Sequence, residues 1–381
     1  MSRGGKIWRV SWRILVCLGL LGWLVHSIFL KEGRDFAAQH GIAWDQLTRG
    51  AQWALAWEQG PPELWRHLTL IAPGPFALSV LLMGVTLLLG IIRWRMVLRV
   101  HGLELPLGRV SEISFVAHFF NSFLLGATGG DLMKAYYAAR ETHHKKTEAV
   151  ATVFVDRLIG FWSMLLFASV MMLPNLRLLA GHERLRSVAA VMLLLLVACT
   201  GFMGLLLWGG VSRQWSGARD WIRRLPKGAW LERLLESCRC FGRSWRFLGR
   251  TMGVSMALNA VCVAQVLVLS WGLGLRVPFE AFFLIVPSII CLASIPITPS
   301  GLGVRENLYV FALAGPLLQV AAPTALSLSL LAYAGSLFWS LVGGVVYLLF
   351  KERHHLAEAD LARETDAPDA CLYQTNGKAA A

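Results

Sequence analysis

Residues 188–209 (VAAVMLLLLVACTGFMGLLLWG) contain no charged side chain. As a helix rising 1.5 Å per residue, a run of that length reaches across the roughly 30 Å hydrocarbon core of a bilayer. A globular core has no use for such a run, so the chain is a membrane protein. Five further long apolar runs fall at about 10–30, 71–92, 149–173, 251–273 and 324–350. Charged residues make up only 15% of the 381 positions, against about a quarter in an ordinary soluble domain.

The formal net charge is +13. The basic residues lie between the apolar runs, where positive loops orient a membrane protein and meet anionic headgroups. No stacking or groove-reading module accompanies them, so nucleic acid is not an expected partner. The strongest basic stretch is 210–250, which carries Arg239, Arg243, Arg246 and Arg250 at helical spacing and predicts an amphipathic helix on the inner leaflet. Residues 31–70 balance acids and bases and read as an external loop. Arg93, Arg95, Arg99 and Arg109, then Lys134, Arg140, Lys145 and Lys146, mark the cytoplasmic side again. Both termini are expected there, in a cell membrane. The basic N-terminal flank followed by apolar sequence to Leu30 predicts an uncleaved signal anchor. The polar tail 351–381 reads as disordered, leaving 1–350 as a single transmembrane domain. Trp94, Trp208, Trp215 and Trp271 lie near span ends and read as interfacial anchors. Seven cysteines, four of them inside apolar runs, give neither a disulfide framework nor a metal site.

Two further apolar stretches, about 107–140 and 279–318, are interrupted by Gly, Pro and polar residues. The first has basic flanks on one side only, so it enters and returns as a re-entrant hairpin; the second is expected to enter from the opposite face. The fold class is therefore all-α, a polytopic bundle of about six full spans plus two broken-helix hairpins, in the manner of an inverted repeat. Irregular backbone at that depth is tolerated only where protein or a wet cavity surrounds it.

The hairpins carry the candidate chemistry. The first reads Asn121 to Gly129-Gly130-Asp131, then Lys134. Gly-Gly permits a tight reversal at 126–131, Asp131 suits an N-cap, and the helix start with Lys134 can hold an anionic headgroup. The second contains Pro296, Pro299, Gly301 and Gly303 as turn residues, then Arg305 and Glu306. Arg305 and Glu306 read either as a contact stapling the hairpin or as a lipid-phosphate site. Asp156 and Arg157 open the next apolar span, as a cap with a snorkelling Arg or as headgroup ligands. The two turns are expected to approach each other, bringing Asp131 and Arg305 into one cavity. His143 and His144 read as a solvated face.

Taken together, Asn121 with Gly129-Gly130-Asp131, the Asp156-Arg157 step, and Pro296-x-x-Pro299-x-Gly301-x-Gly303-x-Arg305-Glu306 resemble the flippase-like family, the lysylphosphatidylglycerol synthase transmembrane region, over about residues 10–350. The resemblance implies a domain that moves or accommodates a lipid between leaflets. In full synthases a soluble aminoacyl-transferase domain follows, which this chain is expected to lack. The expected ligand is an anionic phospholipid or polyprenyl-linked lipid, with no cofactor, no metal and no catalytic residue. The alternative is a transferase using Asp131, Asp156 or Glu306 as acid or base, or a membrane partner of a soluble lipid-modifying or glycosyltransferase enzyme in cell-envelope lipid or glycan synthesis. No phosphate-binding loop or dinucleotide fingerprint is present.

Overall fold

The computed structural model describes residues 26, 29–30, 32–69, 71–123, 127–142, 145–174, 176, 183–206, 237–238, 245–275, 277–294, 304–314, 318, 320 and 322–350. All regular structure among them is helical. The helices are α1 (Arg49–Thr69), α2 (Pro73–Val100), α3 (Leu107–Phe123), α4 (Ala127–Glu141), α5 (Lys146–Met172), α6 (Glu183–Gly204), α7 (Trp245–Gly272), α8 (Phe279–Ala293), α9 (Val304–Leu313) and α10 (Ala322–Leu349). Five of these, α2, α5, α6, α7 and α10, are long and apolar enough to cross a membrane. They match five of the six expected crossings; the sixth run, about 10–30, lies mostly outside the described residues, as do the tail 351–381 and most of 210–250.

Where helices stop departs from hydropathy. α2 does not end at residue 92 but runs on through Arg93, Arg95 and Arg99. It stops at Gly102, whose φ of 67° is cheap only for glycine. The Gly102 N–H donates to the Arg99 carbonyl and the Leu103 N–H to the Leu98 carbonyl, a Schellman ending. α7 opens at Trp245, so Arg246 and Arg250 lie in its first turns, while Arg239 and Arg243 lie outside the described residues. The stretch 31–70 is not an open loop. It holds helical residues 32–39, a 3-10 turn at Trp44–Gln46 and the 21-residue α1, which continues through Pro61 and Pro62.

α7 lies along α2, α5 touches α4, α6, α7 and α8, and α10 packs on both α3 and α9. The contact between α10 and α3 is close because Gly343 has no side chain: a Cβ there would land on the Phe115 carbonyl oxygen. One aromatic core, including Trp94, Phe119, Phe120, Tyr137, Tyr347 and Phe350, fastens α2, α3, α4 and the end of α10. A second, including Phe167, Val263, Phe282, Tyr309 and Leu328, joins α5 with α7 to α10.

The first broken stretch is a pair of helices, α3 and α4, packed on each other. α3 ends at Phe123 and α4 already starts at Ala127, so residues 127–131 are helical where the reversal is expected. Asp131 is therefore one turn inside α4 and does not cap it. Gly129 and Gly130 are helical, and their smallness serves a different end. A Cβ on Gly130 would overlap the Ala117 carbonyl oxygen and the Asn121 side chain, so glycine lets the legs touch. The second stretch likewise forms two helices, α8 and α9, of 15 and 10 residues. Pro296, Pro299, Gly301 and Gly303 lie outside the described residues, as do His143 and His144.

Candidate functional site: a charged centre inside the bundle

Asp156 sits ten residues into α5, about 15 Å along the helix and well past the span's opening. It is buried. Its Oδ1 accepts from Arg93 Nε of α2 at 2.8 Å, and its Oδ2 accepts from Lys134 Nζ of α4 at 3.2 Å. One carboxylate thus binds cations from two other helices, the condition under which a charge survives at depth. Arg93 Nη1 also donates to Ser255 Oγ of α7 at 3.2 Å. Gly160, one turn on from Asp156, leaves room for this guanidinium, since a Cβ there would stand 2.9 Å from Arg93 Nη2. Lys134 lies over the Trp94 ring, 4.1 Å from its centroid.

Beside this knot, Arg157 Nε donates to Asp131 Oδ2 at 2.6 Å. This pair is open: the Arg157 side chain is 46% exposed and that of Asp131 29%. Asn121 stands at the end of α3, and its Oδ1 accepts from the Gly130 N–H at 2.9 Å. It clasps the hairpin legs and thereby positions Asp131 and Lys134 on α4.

Arg305 and Glu306 form a second centre. Arg305 Nη2 donates to Glu306 Oε1 at 2.8 Å, Arg305 Nε donates to Ser329 Oγ of α10 at 3.3 Å, and the guanidinium lies 4.5 Å from the Tyr333 ring centroid. Glu306 is buried. Among the described residues no ion pair or hydrogen bond joins Asp131 to Arg305. Each pairs within its own centre, and α10 packs against both hairpins: Ser329 and Tyr333 face α9, while His118 Nε2 of α3 donates to the Ser336 carbonyl at 3.2 Å.

Sequence reasoning missed several participants. Hydropathy places Arg93 in a loop, because it ends the span at the first charge. Trp94 was assigned to an interface, yet it is completely buried, with Nε1 donating to Thr152 Oγ1 at 3.3 Å. Its adjacency to an intramembrane arginine was the available signal. Arg109, also counted as loop, is buried against Glu141, with Nε to Oε1 at 2.9 Å, and lies 4.1 Å from the Phe350 ring centroid. It ties the base of the first hairpin to the end of the last span. Trp271, by contrast, is exposed at the end of α7.

Five apolar spans around charged, broken helices define a multi-pass α-helical membrane protein whose interior presents fixed charge. The chain belongs to the family described as the lysylphosphatidylglycerol synthase TM region, whose model matches residues 47–351. It is thus a membrane protein of lipid-related processes. No curated protein matches the sequence.

Proposed function

We propose that the chain is a lipid translocase, or a lipid-binding transport protein, for an anionic phospholipid or polyprenyl-linked lipid. The charge balance of the first centre carries this reading. Arg93, Lys134 and Arg157 stand against Asp131 and Asp156, leaving one positive charge in excess. The open Asp131–Arg157 pair is where a phosphate can arrive, exchanging carboxylate for phosphate on a fork-shaped donor suited to both. Asp156 holds Arg93 and Lys134 in place and is the fixed counter-charge. A transferase would need an uncommitted acid or base, whereas Asp131, Asp156 and Glu306 each engage a cation. A partner-subunit role remains the second reading, with a soluble lipid-modifying or glycosyltransferase enzyme as partner.

The direct test reconstitutes the protein in vesicles and follows exchange of fluorescent lipids between leaflets. Arg157→Ala is expected to slow anionic lipids more than zwitterionic ones; equal slowing of both would sink the headgroup assignment. The orientation we propose puts both termini and loop 210–250 on the cytoplasmic face of a cell membrane, on the positive bias of those segments. Ser237 is buried and a poor reporter, whereas Glu104 and Gln46 are exposed. In a cysteine-depleted background, an impermeant thiol reagent outside intact cells should label Gln46→Cys and spare Glu104→Cys. The reverse pattern inverts the topology.

A further inference from the structure

α7 carries a polar stripe that the ion pairs do not exhaust. Thr251, Ser255 and Asn259 recur every four residues, share one face and are buried. The hydroxyls of Thr251 and Ser255 donate to the carbonyls of Phe247 and Thr251, at 2.9 and 2.8 Å. Asn259 has no such outlet. It is 7% exposed, and its Nδ2 is buried with no hydrogen-bond partner. It also stands at the midpoint of the apolar span Arg246–Gly272, about 20 Å from either end. An amide with unused N–H donors at that depth is costly, and such a group calls for a ligand the resting fold does not supply.

Its neighbours say which ligand. α2 and α7 run antiparallel, with Arg93 bonded to Ser255, Gly90 beside Leu258, and Gly272 against Pro75. Along α7 the stripe therefore starts at the Arg93–Asp156–Lys134 knot and reaches Asn259 one turn deeper. Less than a turn beyond, Cys262 precedes Val263, which shares a hydrophobic cluster with Tyr309 of α9, and Gln265 lies against Gly335 of α10, two residues past the Tyr333 ring that Arg305 covers. From Ser255 to Cys262 is about 10 Å along the helix. Asn259 thus stands between two cationic centres that do not touch.

We propose that Asn259 is the midplane binding step for an anionic phosphate-ester headgroup passing between the Arg93–Lys134 centre and Arg305. The proposal rests on the translocase reading and adds its route. A neutral amide suits the middle of such a path: it donates to phosphate oxygens without a full charge, so the headgroup is held and still released. Conduction through successive sites requires that balance.

The test uses the full chain in phosphatidylcholine vesicles doped with fluorescent phosphatidylglycerol, read by quenching the outer leaflet. Asn259→Leu is expected to slow exchange about tenfold, the loss of one ordinary binding contact. Its thermal unfolding temperature should stay level or rise, because an unpaired amide has gone. Phosphatidylglycerol retained in native mass spectra should remain within about twofold of wild type, since the Arg93 centre is intact. Asn259→Asp, which repels the headgroup, should slow exchange as well. Wild-type exchange in Asn259→Leu overturns the proposal, and so does a fall in both unfolding temperature and lipid retention, which would make Asn259 a structural amide. A wild-type protein that moves no lipid sinks the translocase reading itself and takes the route with it. Excess inorganic phosphate should leave exchange unchanged. Asn259-dependent uptake of free phosphate would assign the stripe to the ion instead.

Discussion

The two charged centres are built in opposite ways. Around Asp156, groups from α2, α4, α5 and α7 converge, so the charges are tied by contacts distant in sequence. Around Arg305 the ion pair is between adjacent residues of one short helix, with α10 adding a hydroxyl and a ring. The first arrangement makes charge part of the fold; the second leaves it nearer to a local ornament that a ligand can redirect. Removing a charge should therefore destabilise the first centre more than the second.

The largest effect is expected at Asp156. Asp156→Ala strands Arg93 and Lys134 without their shared carboxylate, and breaking a buried pair in this way costs about 3–5 kcal/mol. The variant should lose most of its thermal stability or fail to purify as a single species. Near-native unfolding would show that the converging cations are solvated and that the contrast between centres is false.

Gly130 tests the hairpin that carries Asp131 and Lys134. Gly130→Ala puts a methyl group onto backbone at Ala117, which cannot give way without parting α3 from α4, at about 1–3 kcal/mol. Asn121→Ala loses only the clasp, about 1 kcal/mol. Thermal unfolding of the two variants should rank them in that order.

Arg305→Ala sharpens the other side. It deprives buried Glu306 of its cation, so some stability is lost, on the order of 1–3 kcal/mol. Adding Glu306→Gln should restore most of it. If Arg305 is a staple, the double variant recovers lipid exchange along with stability. If it receives phosphate, stability returns and exchange does not.

How much of this was legible in the sequence follows the same divide. Runs of apolar residues gave the spans, and Gly-rich breaks gave the hairpins, because both depend on composition within a few residues. The meaning of Gly129-Gly130 was not legible: a glycine that reverses a chain and one that admits a neighbouring helix look alike until the neighbour is known. Arg93 and Trp94 were misassigned for the same reason. Hydropathy charges an arginine the cost of burial but cannot see an aspartate 63 residues away that offsets it. α1 stays helical through Pro61 and Pro62, in a stretch that charge balance alone reads as a loop. A motif names Asn121, Asp131, Asp156 and Arg157, and the helix start names Lys134; the structure gathers them at one hairpin, in roles that spacing alone does not reveal.

A more local effect, read out by pH, is expected at the foot of the first hairpin. His101 follows α2 and bonds to the backbone of Ser237, whereas burial, the larger influence, pushes its pKa from 6.5 down to about 4. Its neutral form is therefore the one the folded state favours. The folded protein binds this proton less readily than the unfolded chain does, so the stabilisation is complete above pH 6.5 and declines as pH falls toward about 4. The decline is at most about 1.4 kcal/mol per pH unit, and local loosening can relieve it. Relative to the intrinsic exchange rate, which itself slows in acid, protection at residues 237–238 should fall between pH 6.5 and 4.5, while protection near Asp156, which no histidine pairs with, stays flat. His101→Gln should remove the pH dependence at 237–238. An equal fall in protection at both places would mean that acid acts on the whole bundle, and that the foot of the hairpin is no more sensitive than the charged centre above it.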